Sequence, residues 1–328
     1  MPKKNVLITG VAGFVGSHLA EHLIEHFPET VVHGSCRPKG STDNIRQLFG
    51  KIVLHEVDIT DATSTHRVVD TIRPEVIYHL AAQSYVRTSW ESPEATLSTN
   101  IIGQANLLEA VRSMANENYS PTVIVVGTSE EYGYVGEAEA LLTEDAPLRP
   151  LSPYAVSKIG QDFLGFQYFQ TYGLNIVRLR AFNHTGPRRP TAFGDSKLAH
   201  TIAMIERGIA DPVVVYRDLT AVRDFTDVRD VVRAYVLASE RCEAGAVYNV
   251  CSGKGVSIQQ IFDALLACSK VKDIELVPDP SGPRPTDGGV VVGDNSKFRS
   301  ATGWIPEISF LDRTLPDILN YWRENVSP

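Results

Sequence analysis

Cysteine is scarce and scattered in this chain. There are four, Cys36, Cys242, Cys251 and Cys268, and no two stand in a Cys-x-x-Cys pair. That spacing excludes a disulfide framework and the common zinc motifs, leaving four reduced thiols. Apolar runs are short. None approaches the roughly 18 residues that a membrane span requires. Positive charge is not in excess either: 31 Lys and Arg against 39 Asp and Glu give a net charge of −8. Nothing in that balance suits nucleic acid or an anionic membrane, so neither is expected as a partner, and any anionic ligand must be held by local basic groups. The opening stretch MPKKNVLITG has no apolar signal core and no small-residue cleavage site, and the expectation is a cytoplasmic protein. No low-complexity segment and no repeat at a solenoid period stands out.

What is present is alternation. NVLIT (5–9), TVVHGS (30–35), KIVLHEVD (51–58), EVIYHLA (75–81), TVIVV (122–126) and NIVRLRAF (175–182) read as strands. Amphipathic stretches such as GSHLAEHLIEHF and NIIGQANLLEAVRSMA lie between them. Strand and helix repeated in this way predict an α/β fold, a Rossmann-type doubly wound parallel sheet with ligands at the carboxyl ends of the strands. From about residue 186 the pattern changes to loops rich in Pro, Gly and Arg, helices such as SIQQIFDALLACS, and short strands PVVVY and AVYNV. The expected division is a nucleotide-binding domain over 1–182, with interleaved returns near 213–250, and a smaller substrate-binding region over 183–328.

The first strand ends in TGVAGFVG, where Gly10, Gly13 and Gly16 are spaced for a dinucleotide loop. Glycine there permits a tight turn, close approach of backbone to a pyrophosphate, and close packing of helix on strand. The helix starting near Val15 would offer free N–H groups to the phosphates. A plain tight turn is the alternative. After the second strand, where an NAD site places an acidic residue, the chain has Arg37, Lys39, Ser41 and Arg46. Cations at that place suit the 2′-phosphate of NADP over NAD, unless the loop is merely solvated. Asp58, closing HEVDIT, is placed to accept from the adenine amine.

Downstream, SPYAVSK sets Tyr154 and Lys158 four apart, on one helix face. A lysine ammonium beside a tyrosine, with the cofactor's positive ring, would favour the phenolate and make a general base. A surface pair is the alternative. The hydroxyl of Thr128 or Ser129, in GTSEEYG, would polarise the substrate oxygen. His184 has no second ligand at metal spacing, and no metal is expected. Asp224, Asp227 and Asp230 recur at helical spacing and read as a solvated or ion-paired helix start.

With TGVAGFVG, HLAAQS, PYAVSK and RDFTDVRD, the chain resembles the extended short-chain dehydrogenase/reductase family over essentially its whole length. LAAQSYV, TSE, FNHTGPRR and RPTD resemble the branch that holds GDP-mannose 4,6-dehydratase and GDP-4-keto-6-deoxymannose reductase. The resemblance implies Phe14, Val15, Ile59, Leu80, Ala81, Ala82, His184 and Arg189 as further cofactor contacts. It implies Ser84, Asn183, Lys197, Arg223 and Arg284 around a GDP-sugar. It also gives Glu130 a chemical role. Once Tyr154 has helped make a ketone at C4, Glu130 removes the C5 proton and helps the C6 hydroxyl leave. The implied activity is conversion of GDP-mannose to the 4-keto-6-deoxy sugar by an internal hydride shuttle. The alternatives are an NADPH-consuming reductase of that product, or another nucleotide-sugar epimerase or dehydratase. RDFTDVRDVVRAY and VYNVCSG look more like the reductase. Glu131 reads as a solvent-facing or structural neighbour. A homodimer through the helix of 101–114 and the helix carrying Tyr154, or a homotetramer through the 37–46 loop, is also implied.

Overall fold

Seven parallel strands form one sheet, and every strand expected in the first 182 residues is in it. The structure is a computed structural model that describes residues 4–116, 118–133, 141–280, 282 and 289–326. In chain order the strands are β1 (Lys4–Thr9), β2 (Thr30–Cys36), β3 (Val53–Glu56), β4 (Val76–His79), β5 (Thr122–Thr128), β6 (Ile176–Ala181), β7 (Asn183–Thr185), β8 (Val213–Tyr216), β9 (Val222–Asp227), β10 (Val247–Val250), β11 (Gly255–Ser257), β12 (Glu275–Pro278) and β13 (Val290–Val291). The α-helices are α1 (Phe14–His26), α2 (Ala62–Ile72), α3 (Val86–Glu91), α4 (Pro93–Leu97), α5 (Gly103–Met114), α6 (Pro153–Tyr172), α7 (Gly194–Glu206), α8 (Val228–Arg241), α9 (Ile258–Cys268), α10 (Ser296–Thr302) and α11 (Leu315–Asn325).

The sheet runs β10-β6-β5-β4-β1-β2-β3. Both faces are covered, and β1 shows how. Val6 and Ile8 enter one core with Val32, Val231 and Tyr235, while Leu7 enters the other with Ile77, Leu107 and Val123. A strand buried on both faces must be apolar throughout, which is why these runs do not alternate with polar residues. The strand order reverses between β1 and β4, so the crevice for a ligand opens there, beyond their carboxyl ends.

A third core lies outside the sheet, where α7, α9 and α11 pack through Ile202, Ile261, Leu265, Leu315 and Leu319. Beside it β9 pairs with β7, β11 and β13, and β8 pairs with β12. Asp224 lies in β9 rather than at a helix start. Its buried carboxylate accepts from the Ser252 N–H and hydroxyl and from the Gly253 N–H. Asp227 caps α8 through the Arg229 N–H, and Asp230 pairs with Arg233. Of the two expected readings, the ion-paired helix start holds for Asp227 and Asp230, which pair with Arg229 and Arg233; the solvated one does not, since all three carboxylates are buried, and Asp224 belongs to the strand.

No helix among the described residues is long and apolar enough to cross a membrane.

Candidate active site

The glycine loop turns between β1 and α1. Gly10 has φ +73°, and a Cβ there would meet the Ala81 backbone at 3.0 Å. Gly16 is the most constrained of the three: its Cβ would lie 2.4 Å from the Gly10 carbonyl oxygen and 2.8 Å from the Val11 Cα. Only glycine lets the first turn of α1 sit that close to the strand. Gly13 caps α1 without a side chain, and the first turn holds no carboxylate. The free N–H groups at this end therefore face no competing anion, which suits a diphosphate.

Beside the loop, a buried polar set holds the carboxyl ends of β1 and β4. The Thr9 hydroxyl accepts from the Leu80 and Ala81 N–H groups and lies 2.9 Å from His79 Nδ1. Burial drives the His79 imidazole down to about 3, so it is neutral. This residue was missed in the sequence, where HLAAQS drew attention only after its first residue.

The reacting groups converge from β5 and α6. Ser152 caps α6 by accepting from the Ala155 N–H, and Pro153 opens the helix. Tyr154, Lys158 and Asp162 then follow at intervals of four, on one face. Thr128 ends β5 and caps the short 3-10 turn Ser129–Glu131. Thr128, Glu130 and Arg189 all act on the Tyr154 phenol. Lys158 Nζ donates to the Val126 carbonyl at 2.9 Å and stands 6.0 Å from the centre of the Tyr154 ring. The expected hydroxyl, phenol, lysine and carboxylate are thus brought together. Ser129 is buried beneath them.

Burial sets the protonation states here. Desolvation, reinforced by Glu130, pushes the Tyr154 phenol well above its ordinary range, while Thr128 and Arg189 pull it down. Desolvation lowers Lys158 to about 8, opposed by Glu131. Glu130 is accessible at the cleft surface, yet the protein around it desolvates its carboxylate and raises its pKa, with Arg223 opposing.

Glu131 is fully buried, not solvent-facing. Its Oε1 accepts from the Thr128 N–H at 2.8 Å, completing a capping box. Its Oε2 lies 3.3 Å from Arg180 Nε. Arg180 and Arg178 are in turn held by Asp162, with N–O distances of 2.6–2.9 Å. Asp162 was also missed; its signal was the same interval of four that links Tyr154 to Lys158.

The expected adenosine contacts are exposed. Arg37, Lys39, Ser41 and Asp58 lie at the surface beyond β2 and β3, while Ile59 is buried. Ser41 donates to Asp43 and Arg46 pairs with the same carboxylate, which leaves Arg37 and Lys39 as the cations nearest the end of β2. Asp58 accepts from the Thr60 N–H and hydroxyl through one oxygen, leaving its other oxygen for an outside donor.

On the opposite wall, Phe14 stacks parallel to His184 at 6.3 Å, and the Arg189 guanidinium lies 4.0 Å from the Phe193 ring centre. Burial and Arg189 lower His184 to about 4. Arg189 is buried, pairs with Asp195 at 3.4 Å, and its Nε makes no hydrogen bond. Arg223 donates to the Val222 and Gly289 carbonyls and faces Glu130. Asn183 is half-buried in β7; Ser84 and Lys197 are exposed. Leu80, Ala81 and Ala82 are half-buried at the end of β4, and Phe14 and Val15 open α1. Arg284 lies outside the described residues.

Residues 7–314 match the family model described as GDP-mannose 4,6 dehydratase. The chain belongs to the GDP-mannose 4,6-dehydratase family. Among similar members is the GDP-6-deoxy-D-mannose reductase of Pseudomonas aeruginosa, 32% identical over 98% of this chain and 98% of that one. The GDP-mannose 4,6-dehydratase of Yersinia enterocolitica is 34% identical over 93% of this chain and 90% of its own. Among solved structures, RMD from Pseudomonas aeruginosa complexed with NADPH superposes with a TM-score of 0.85 at 31% identity, covering 98% of this chain and 100% of that one. The family and the Rossmann-type fold expected from the motifs are therefore correct.

Proposed function

We propose that this family member is an NADP-dependent GDP-mannose 4,6-dehydratase, a lyase that returns its cofactor unchanged after each turnover. The observation that carries the reading is Glu130. A carboxylate at the surface of the cleft, within electrostatic reach of both Tyr154 and Arg223, is a second acid/base that a simple alcohol oxidation does not need.

The residues present fit a dinucleotide, because Gly10, Gly13 and Gly16 leave a cradle that a Cβ would fill. Its phosphates would rest on the start of α1, with Phe14 and Val15. Its adenosine would lie against Asp58 and Ile59, with Arg37 and Ser41 on the 2′-phosphate. Leu80, Ala81 and Ala82 would line its path past β4, with His184 and Arg189 opposite. When bound, NADP supplies an acceptor that takes hydride from one sugar carbon and gives it back to another. The rest is done by the chain. Thr128 hydrogen-bonds the C4 oxygen, with Ser129 supporting the turn, and Tyr154, whose phenol Thr128 and Arg189 pull toward ionisation against its desolvation, takes the C4 hydroxyl proton with Lys158 beside it. The ketone so formed acidifies C5. Glu130 then removes the C5 proton and delivers it to the C6 hydroxyl, which leaves as water; as the hydride is returned to C6, C5 takes up one proton and Tyr154 gives up the one it took, which closes the proton count. Asn183, Lys197, Arg223 and Arg284 would hold the GDP diphosphate and ribose, and Ser84 would face the hexose.

The test is to incubate the purified protein with GDP-mannose and catalytic NADP, without reductant, and to follow the sugar by NMR. A 4-keto-6-deoxy product is expected. No turnover, with NADPH oxidised once the 4-keto sugar is offered, would make the protein the reductase. The similarity to the Pseudomonas reductase over the full length of both chains is what favours that second reading.

Self-association belongs to the same proposal. Val156, Phe163 and Phe166 on α6, and Ile102 before α5, expose apolar surface that a homodimer would cover. The four free thiols accord with a cytoplasmic protein.

A further inference from the structure

We propose that Glu131 is a positioning residue for the reaction, holding the β5 turn so that Thr128 and Glu130 address the substrate. The inference rests on the roles given above to Thr128, Glu130, Tyr154 and Lys158.

The geometry is specific. Glu131 is 0% exposed, and a buried carboxylate is retained only when its oxygens are paired. One oxygen is: Oε1 accepts the Thr128 N–H. The other, Oε2, makes no hydrogen bond and has only the Arg180 ion pair. A capping box needs only one oxygen, so a neutral glutamine would serve the turn as well. Burial and the neighbouring Asp162 carboxylate push its pKa up to about 8, opposed by Arg180, the Thr128 N–H and Lys158. Arg180 reaches it from β6, Lys158 and Asp162 act on it from α6, and Tyr154, on the same face of α6, lies within its field. Tyr132, next in the chain, accepts from Arg180 and donates to Asn249 of β10. Glu131 therefore joins three elements at once: the end of β5 that presents Thr128, the β6 arginine, and the α6 face that carries Tyr154 and Lys158. Gly127 completes the fit. A Cβ there would stand 2.2 Å from Glu131 Oε1, so the missing side chain is the space that the carboxylate occupies.

The test compares Glu131→Ala and Glu131→Gln with the parent, through crystal structures, NADP affinity, KM and kcat. The kinetics use whichever of the two sugar reactions the parent performs. Glu131→Ala should displace the Thr128–Glu130 turn and lower kcat at least roughly tenfold, with KM and NADP affinity within about twofold. Glu131→Gln, which keeps an oxygen for the Thr128 N–H, should leave the turn in place and recover part of kcat. The inference is overturned if the turn and kcat are unchanged in Glu131→Ala. It is overturned equally if kcat and NADP affinity fall and KM rises together in Glu131→Gln, the mark of a general packing role. Should Glu131→Ala fail to fold, the Glu131→Gln comparison decides alone. A parent that turns over neither sugar sinks the functional reading; the displacement of the turn in the crystal structures then decides the positioning role.

Discussion

Glu131 lies over Gly127. Its Oε1 occupies the space where a Cβ at Gly127 would stand, 2.2 Å away, and that same oxygen accepts the Thr128 N–H. The two residues, four apart at the end of β5, are fitted to each other. Gly127→Ala should therefore cost about 2 kcal/mol by overpacking, read as a lower Tm, and should lower kcat by moving Thr128. In the double variant with Glu131→Ala the clash is gone, so the two losses should fall short of additive. Strict additivity in thermal unfolding would show that the pair is not in contact.

Lys158 is costly to the fold. Burial brings its pKa down to about 8, a displacement from the ordinary lysine value worth roughly 3 kcal/mol. Because the folded pKa is the lower one, the unfolded chain binds the extra proton between about pH 8 and the ordinary lysine range. Stability from this group therefore rises with pH across that window, and its cost is fully present below it. Lys158→Met should raise stability at neutral pH by roughly 1–3 kcal/mol while abolishing turnover. Calorimetry and the product assay, run on the same preparation, check both halves. An unaltered or lower Tm would mean that the Val126 carbonyl bond outweighs the desolvation.

The Asp162 carboxylate holds Arg178 and Arg180 deep behind the site. Taking the charge away leaves Arg178 with no carboxylate and Arg180 with Glu131 alone, so Asp162→Asn should cost about 3–5 kcal/mol. Denaturant unfolding measures it. A loss below about 1 kcal/mol would show that water reaches the arginines.

Much of this was legible before the structure. Strand periodicity depends on local residues, so β1 to β6 were read within a few positions. The glycine loop and the Tyr154–Lys158 interval are short-range patterns, and they lie where the turn and the helix face require. Glu131 was harder. Nothing near it in sequence shows that Arg180 and Asp162 will meet it, so the solvent-facing and the structural reading stayed open until the structure decided for the second. Asp224 misled for the same reason, since its partners Ser252 and Gly253 come from a distant loop. His79 was hidden inside a strand, where only the register of β1 beside β4 brings it to Thr9.

Arg37 and Lys39 are the cations nearest the end of β2, since Arg46 and Ser41 are engaged with Asp43. If Arg37 holds the 2′-phosphate, Arg37→Ala should weaken NADP binding roughly tenfold or more and leave NAD binding unaltered. Titration with the two dinucleotides separates a phosphate contact from a loss of fold. Equal weakening for both would move the phosphate contact elsewhere.

The last expectation concerns Glu130. Desolvation raises its pKa and Arg223 opposes the rise, so the acid limb of turnover should lie above the ordinary carboxylate range. Glu130→Gln should keep NADP affinity and lose dehydration by roughly 10²–10⁴-fold. The two halves of the reaction should then separate. Tyr154 and Thr128 still serve the oxidation at C4, so reduced nicotinamide should accumulate on mixing with GDP-mannose, visible in the near ultraviolet. Without a base for the C5 proton the hydride has nowhere to return. Reduced cofactor without 6-deoxy product would separate the two acid/base groups in one experiment. Product at the parental rate would remove Glu130 from the chemistry and leave its charge as a partner for Arg223 alone.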